Sequence, residues 1–316
     1  MKGLTDIPGI KVGHSTDLDA LTGCTVILCE EGAVAGCDIG GGASGTTEFD
    51  VMSPQHVTPA IHGITLAGGS AFGLEAASGV RRYLEQKGVG FPTAYARVPI
   101  VPGAILFDLG IGKAGVRPTR EMGEAAAAAA TDKAVQEGCV GAGTGATVGK
   151  AYGMERAMKA GIGSFTIELA GGLFVSALAA VNAWGDVVDP NTGKIVAGCR
   201  TSAKSGEFAS AIKALQGGVE RGFGRSNTTL CVVATNARLT KVEATKMARM
   251  AQAGLLRAVR PAHTMFDGDV VIALSLGAKR STVNVVGATA ADALAEAIVR
   301  GVKEAKGLGG LPGLKR

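Results

Sequence analysis

Aromatic residues make up only 4% of this 316-residue chain and charged residues only 19%. The formal charge of +5 is spread along the chain without a Lys/Arg block, so neither ring stacking nor a basic patch is available to hold a nucleic acid. The six cysteines, Cys24, Cys29, Cys37, Cys139, Cys199 and Cys231, form no C-x-x-C pair. That excludes a disulfide framework and fits free buried thiols in a reducing cytoplasm. Histidine is scarce too. His56 and His62 lie six apart, outside the spacing of a zinc site, and neither metal nor cofactor is expected. Asp6 and Pro8 stand where an export signal needs an apolar run, so no export is expected. The apolar stretch 164–184 is broken by Glu168, Gly171, Gly172 and Asn182. Two buried strands around a Gly-Gly turn explain it better than a membrane span. There is no internal repeat and no Pro/Ser-rich linker, so the whole of 1–316 reads as a single domain.

What is abundant is glycine, with 49 residues, in a chain that is 47% hydrophobic. Glycine without a collagen period indicates tight turns and close backbone approaches. Helical patterns are readable at 70–87, 119–137, 205–215, 240–259 and 289–305. Thr240 with Glu243 forms a capping-box pattern, Ser70 and Ser205 suit N-caps, and Gly88 and Gly138 suit helix stops. Strand-like runs lie at 25–29, 33–38, 105–109, 164–169, 174–183, 230–234 and 270–276. Adjacent strands early, then strands alternating with helices, predict a layered α/β or α+β domain. The tail 307–316 is expected to be loose.

Two motifs fail on inspection. GAGTGATVGK (141–150) is no P-loop, because the first required Gly falls at Thr144 and Ala151 follows Lys150, where that loop needs Ser or Thr. It fits a dinucleotide fingerprint loosely but follows a helical pattern where a strand is required. A Gly-rich turn leading into a strand, with Lys150 as a solvated lysine, is the local reading. LAGGSAFGLEAA (66–77) resembles a nucleophile elbow around Ser70, yet Phe72 occupies the place of its second Gly. A helix cap accounts for Ser70 better than a catalytic role.

Five ordered runs carry a resemblance: GGSAFGLEAA, GAGTGATVGK, VNAWGDVVDP (181–190), SNTTLCVVATNARLTK (226–241) and FDGDVVIALSLG (266–277). Together they resemble the L-aminopeptidase/D-esterase family, which includes β-peptidyl aminopeptidases and nylon-oligomer hydrolases, over nearly the whole chain. The resemblance implies a four-layer αββα sandwich and a self-cleaved precursor. Here it would give an α chain of 1–227 and a β chain of 228–316, assembled as a homo-oligomer, a tetramer of αβ units. It also implies hydrolysis of peptides, amino-acid amides or linear amide oligomers such as 6-aminohexanoate oligomers.

By the same resemblance, cleavage falls between Asn227 and Thr228, and Thr228 is the nucleophile. A hydroxyl needs an adjacent base, and the α-amine freed by cleavage can be one. Asn182 matches the amide that donates to the oxyanion, and Lys150 matches a lysine beside the nucleophile in the nylon-hydrolase branch. Asp267 and Asp269 match the pair that contacts the nucleophile's amine and hydroxyl. Aminopeptidase members carry Ser and Glu there, so the double aspartate resembles the nylon-oligomer branch more closely. Read locally, Asn-Thr-Thr is also a polar strand start, and D-G-D a solvated turn. Acyl transfer of the ornithine-acetyltransferase kind and an uncleaved, non-catalytic homologue are the alternatives.

Overall fold

The computed structural model describes residues 1–219 and 227–316. Ser226, first in the motif around Thr228, lies outside them. Nine strands form the frame: β1 Lys11–Asp17, β2 Thr22–Ile39, β3 Gly45–Thr47, β4 Ile61–Ala67, β5 Gly103–Ile105, β6 Ile162–Leu169, β7 Leu173–Asn182, β8 Thr228–Ala237 and β9 Val270–Lys279. They are joined with helices α1 Ala76–Gln86, α2 Arg120–Ala128, α3 Ala211–Gln216, α4 Lys241–Ala258 and α5 Val283–Lys303. The hydrogen-bonded order is β6-β7-β8-β9-β2-β4-β5-β3, with β1 beside β2.

The 18-residue β2 is where that path doubles back. Its first half pairs with β1 and β4, the register shifts between Leu28 and Ala33, and its second half pairs with β9. The two resulting layers face each other. Period-two alternation sorts their side chains. Ile27, Ile64 and Leu66 of one layer meet Leu178, Leu230, Val232 and Ile272 of the other in a shared core. The opposite faces take helices. Val26 and Leu28 pack under Ala77, Val80 and Ala126 of α1 and α2, while Val175, Val233 and Val271 pack under α4 and α5. This is the expected αββα layering. β8 and β9 run parallel, so α4 serves as their crossover. β6 and β7 form the expected hairpin around Gly171 and Gly172, both at positive φ.

Several boundaries differ from expectation, each for a tertiary reason. The helix predicted over 119–137 stops at Ala128, because Thr131 exchanges backbone hydrogen bonds with Val12 of β1. The helix predicted from Ser205 begins at Ala211, whose amide donates to Asp186; Arg200 and Phe208 are bridged before it. α5 starts at Val283, capped by Thr282, although its β-branched first turn looks strand-like. Ser70 is no N-cap. It sits at φ 55 after Gly69, without a capping side-chain bond. The strand predicted over 105–109 ends at Ile105, and Gly138 bridges Ile162 instead of ending a helix. The tail is held: Pro312 O accepts from Lys159 N, and Lys315 pairs with Glu304. The capping box of α4 and the stop at Gly88 form as expected.

Glycine's abundance is explained by how closely these layers approach. A Cβ on Gly79 of α1 would lie 1.8 Å from Arg120 O of α2, and one on Gly254 of α4 would lie 2.0 Å from Ala291 O of α5. Both neighbours are helix backbone and cannot swing aside. Gly254→Ala is therefore expected to destabilise the fold by about 1–3 kcal/mol. Urea unfolding measures this as a lower midpoint with unchanged slope, and an unchanged midpoint would mean that α4 can move off α5.

Candidate active site

Leu230 and Leu178 face the inter-sheet core, so the same parity turns Thr228, at the start of β8, and Asn182, at the end of β7, onto that face. They are direct cross-strand partners. Asn227 precedes Thr228 and forms a bridge with Asp267 in the segment leading into β9. Asn182, Asn227, Thr228, Asp267 and Asp269 are all at most 1% exposed. The D-G-D run is therefore no solvated turn, and the Asn-Thr-Thr run is a strand start within the protein interior.

The Asn227 carbonyl oxygen is anchored twice. It accepts from the Gly268 amide at 2.6 Å and from the Thr228 hydroxyl at 2.5 Å. Thr228 thus rests its own side chain on the carbonyl immediately before it.

Asn182 is held through both ends of its side chain. Its Oδ1 accepts from Thr147 N at 3.0 Å and from Lys150 Nζ at 2.8 Å, which fixes the amide's orientation. Its Nδ2 donates to Phe107 O at 2.9 Å, leaving one of its two hydrogens for another acceptor. Lys150 also donates to Asn182 O at 3.0 Å and is only 5% exposed. A surface lysine it is not.

The aspartates hold backbone. Asp267 accepts from Trp184 N and from the Thr264 hydroxyl. Asp269 accepts from Thr229 N at 2.8 Å and His263 N at 3.0 Å. The resemblance implies contact with the nucleophile's hydroxyl and amine; in the intact chain that hydroxyl is turned to Asn227 O, and Asp269 holds the adjacent Thr229 amide.

Sequence reading missed two members. Asp108, in a cavity of about 320 Å³ also lined by Phe107, Thr147, Lys150, Met154 and Asn227, accepts from Gly69 N and the Thr22 hydroxyl. A lone acid closing the apolar run VPGAILFD was the available signal. Lys159, fully buried, donates to the carbonyls of Thr144 and Ala146 and so shapes the Gly-rich turn. Among the described residues no three His, Cys, Asp or Glu side chains gather as a metal would need.

Burial dominates the electrostatics. It lowers the Lys150 amine to about 7, with Asp267, Asp108 and Asp269 opposing that and Lys159 adding to it. Burial lowers Lys159 to about 8 and raises the carboxyls of Asp108, Asp267 and Asp269, the last further by the charge of Asp267. Desolvation disfavours the charged form of each.

The lysine shift has a measurable sign. Its amine titrates near 10.5 in the unfolded chain and about 7 in the fold. Between those values only the unfolded state binds the proton, so stability rises with pH by up to about 1.4 kcal/mol per unit. Lys150→Met lacks this gain. Compared on a Thr228→Ala background, the lysine protein should gain on the methionine variant from about pH 7.5 to about pH 9.5 in urea unfolding. A constant difference would mean that Lys150 stays charged in the fold.

Known proteins resemble this chain over its full length. An uncharacterized aminopeptidase of Mycobacterium tuberculosis is 39% identical, covering 99% of this chain and 96% of its own. A 6-aminohexanoate-oligomer endohydrolase of Kocuria is 28% identical, covering 94% and 85%. Among solved structures, the L-aminopeptidase D-Ala-esterase/amidase of Ochrobactrum anthropi, described as a variant of the Ntn hydrolase fold, superposes with a TM-score of 0.73 at 18% identity, over 98% of this chain and 88% of its own. A Burkholderia β-aminopeptidase gives 0.70 at 22%, over 99% and 91%. These two establish the fold, and the peptidase and endohydrolase names support hydrolysis of amide bonds. No described helix is long and apolar enough to cross a membrane. The pattern of peptidase family S58 matches residues 2–316, and the chain belongs to that family.

Proposed function

We propose that this protein is an N-terminal-nucleophile amide hydrolase that cuts its own backbone between Asn227 and Thr228 and then uses the freed Thr228. The observation that carries the reading is the Thr228 hydroxyl lying 2.5 Å from Asn227 O, on a buried strand start whose cross-strand partner is Asn182. In maturation the hydroxyl oxygen attacks the Asn227 carbonyl carbon, the C–N bond breaks, and the acyl group passes to oxygen. The hydroxyl proton ends on the departing nitrogen. Water then hydrolyses the ester, leaving an Asn227 carboxylate and a Thr228 with a free amine.

That amine, with an ordinary pKa of about 7.7–8.0, is neutral often enough at neutral pH to take the hydroxyl proton in turnover. The Asn182 amide, held by Lys150 and Thr147, would donate its second hydrogen to the substrate oxyanion. The cavity beside Asn227 would take the substrate. Its mixture of Asp108, Lys150 and apolar side chains suits peptides, amino-acid amides or linear amide oligomers, as the relatives' names also indicate. β8 and β9 pair with β7 and β2 on either side, so the two fragments would stay together after the cut.

Mass spectrometry of the purified protein should find fragments 1–227 and 228–316. Thr228→Ala should abolish both cleavage and hydrolysis, and Thr228→Ser should keep some of each. A chain that stays whole on prolonged incubation would sink the reading. Asn182→Ala should lower kcat by about 10²–10³ with a smaller change in KM, and an unchanged kcat in matured enzyme would remove it from the mechanism.

The pH profile tests the base. The ammonium form of Thr228 is inactive, so kcat/KM rises with pH through the amine's pKa. Asp267→Asn or Asp269→Asn removes a negative neighbour and should move that acid limb to lower pH. Lys150, its amine lowered to about 7, is already mostly neutral where that limb falls, so Lys150→Met should leave it nearly in place. Limbs that stay fixed in both matured aspartate variants would detach the pair from the base.

A further inference from the structure

We propose that the backbone N–H of Gly268 is the oxyanion donor of the self-cleavage step, a task separate from that of the Asn182 amide in turnover. The inference rests on cleavage at Asn227–Thr228 as proposed above. When the Thr228 oxygen attacks, a five-membered ring closes and negative charge gathers on Asn227 O. The Gly268 amide already points at that atom from 2.6 Å in the intact chain, with no rearrangement needed. Such a preset donor is the structural requirement for stabilising a tetrahedral intermediate. The Asn182 nitrogen, by contrast, donates to Phe107 O on the lining of the cavity.

Three further observations support the assignment. The peptide carrying this N–H is fastened at its other end, where Asp267 O accepts from Ala43 N at 2.9 Å. The flanking side chains anchor the segment as well, Asp267 to Trp184 N and Asp269 to Thr229 N. Lastly, a Cβ at position 268 would lie 2.7 Å from the Thr228 hydroxyl oxygen and 2.7 Å from Ala43 O. Only glycine lets donor and attacking hydroxyl share one carbonyl oxygen. The D-G-D motif thereby acquires a reason for its middle residue.

The test replaces the Asp267–Gly268 amide with an ester, by incorporating glycolic acid at 268. This removes the N–H and adds no side chain. Appearance of the 228–316 fragment should slow by about 10²–10³. Lactic acid at position 43 removes the Ala43 N–H that supports the same peptide and should slow cleavage far less. Equal slowing in both would assign the effect to loosened packing and overturn the proposal, as would an unchanged rate in the 268 ester. Either result leaves the cleavage reading intact, whereas an unaltered chain that never yields a Thr228 terminus removes both. Should the ester chain not fold, a Thr228→Ala chain decides by NMR. A through-hydrogen-bond coupling between the Gly268 nitrogen and the Asn227 carbonyl carbon is expected, and its absence in the folded chain overturns the assignment.

Discussion

The register between β7 and β8 is the constraint on which the site depends. Because side chains alternate, pairing Asn182 with Thr228 sends both to the inter-sheet face, and a slip of one residue would turn Thr228 into the helix-packed core. Side-chain size further along the two strands locks that register, since the small Ala177, Ala179 and Cys231 lie on the helix-packed face and the larger Leu178, Leu230 and Val232 fill the inter-sheet core, and exchanging the two sets would misfit both. Hydrophobic patterning deep in the sandwich thus positions polar groups at its end. The parallel pairing of β8 with β9 then brings the D-G-D segment alongside.

Burial makes that polar end chemically unusual. Three carboxyl groups and two amines are withdrawn from water within one neighbourhood, and each is driven toward its neutral form. Backbone amides and hydroxyls compensate the acids, while carbonyl oxygens compensate the lysines. Since so many of these partners belong to the main chain, the polar cluster also ties loops together. Its members therefore set geometry and charge at once.

Much of this was legible in the sequence. Long alternating or continuous apolar runs marked β6, β7, β8 and β9, and Thr240 with Glu243 marked the start of α4. The sites of Thr228, Asn182, Lys150, Asp267 and Asp269 came from ordered motifs spread across the chain. What stayed hidden depends on distant partners. The Ala-rich stretch after Ala128 has high helix propensity, yet Thr131 bonds β1. Strands β1 and β4 carry few distinctive residues, and neither was read as a strand. Asp108 offered only its place at the end of an apolar run, and its partners Gly69 and Thr22 lie far away in the chain. Lys159 gave no local sign of burial, because its acceptors are carbonyls of the Gly-rich turn.

The central place of β8, between β7 from before the proposed cut and β9 from after it, bears on how such a protein could be recovered once denatured. An intact chain regains its sheet as a unimolecular event, with its two halves tethered at high effective concentration. A cut chain must bring two separate molecules together before β8 can pair on both sides, so renaturation becomes second order and slows on dilution. The native state would then be protected chiefly by the barrier to leaving it, as in proteins whose durability is kinetic. Self-cleavage would work as a ratchet, letting the fold form easily once and holding it afterwards.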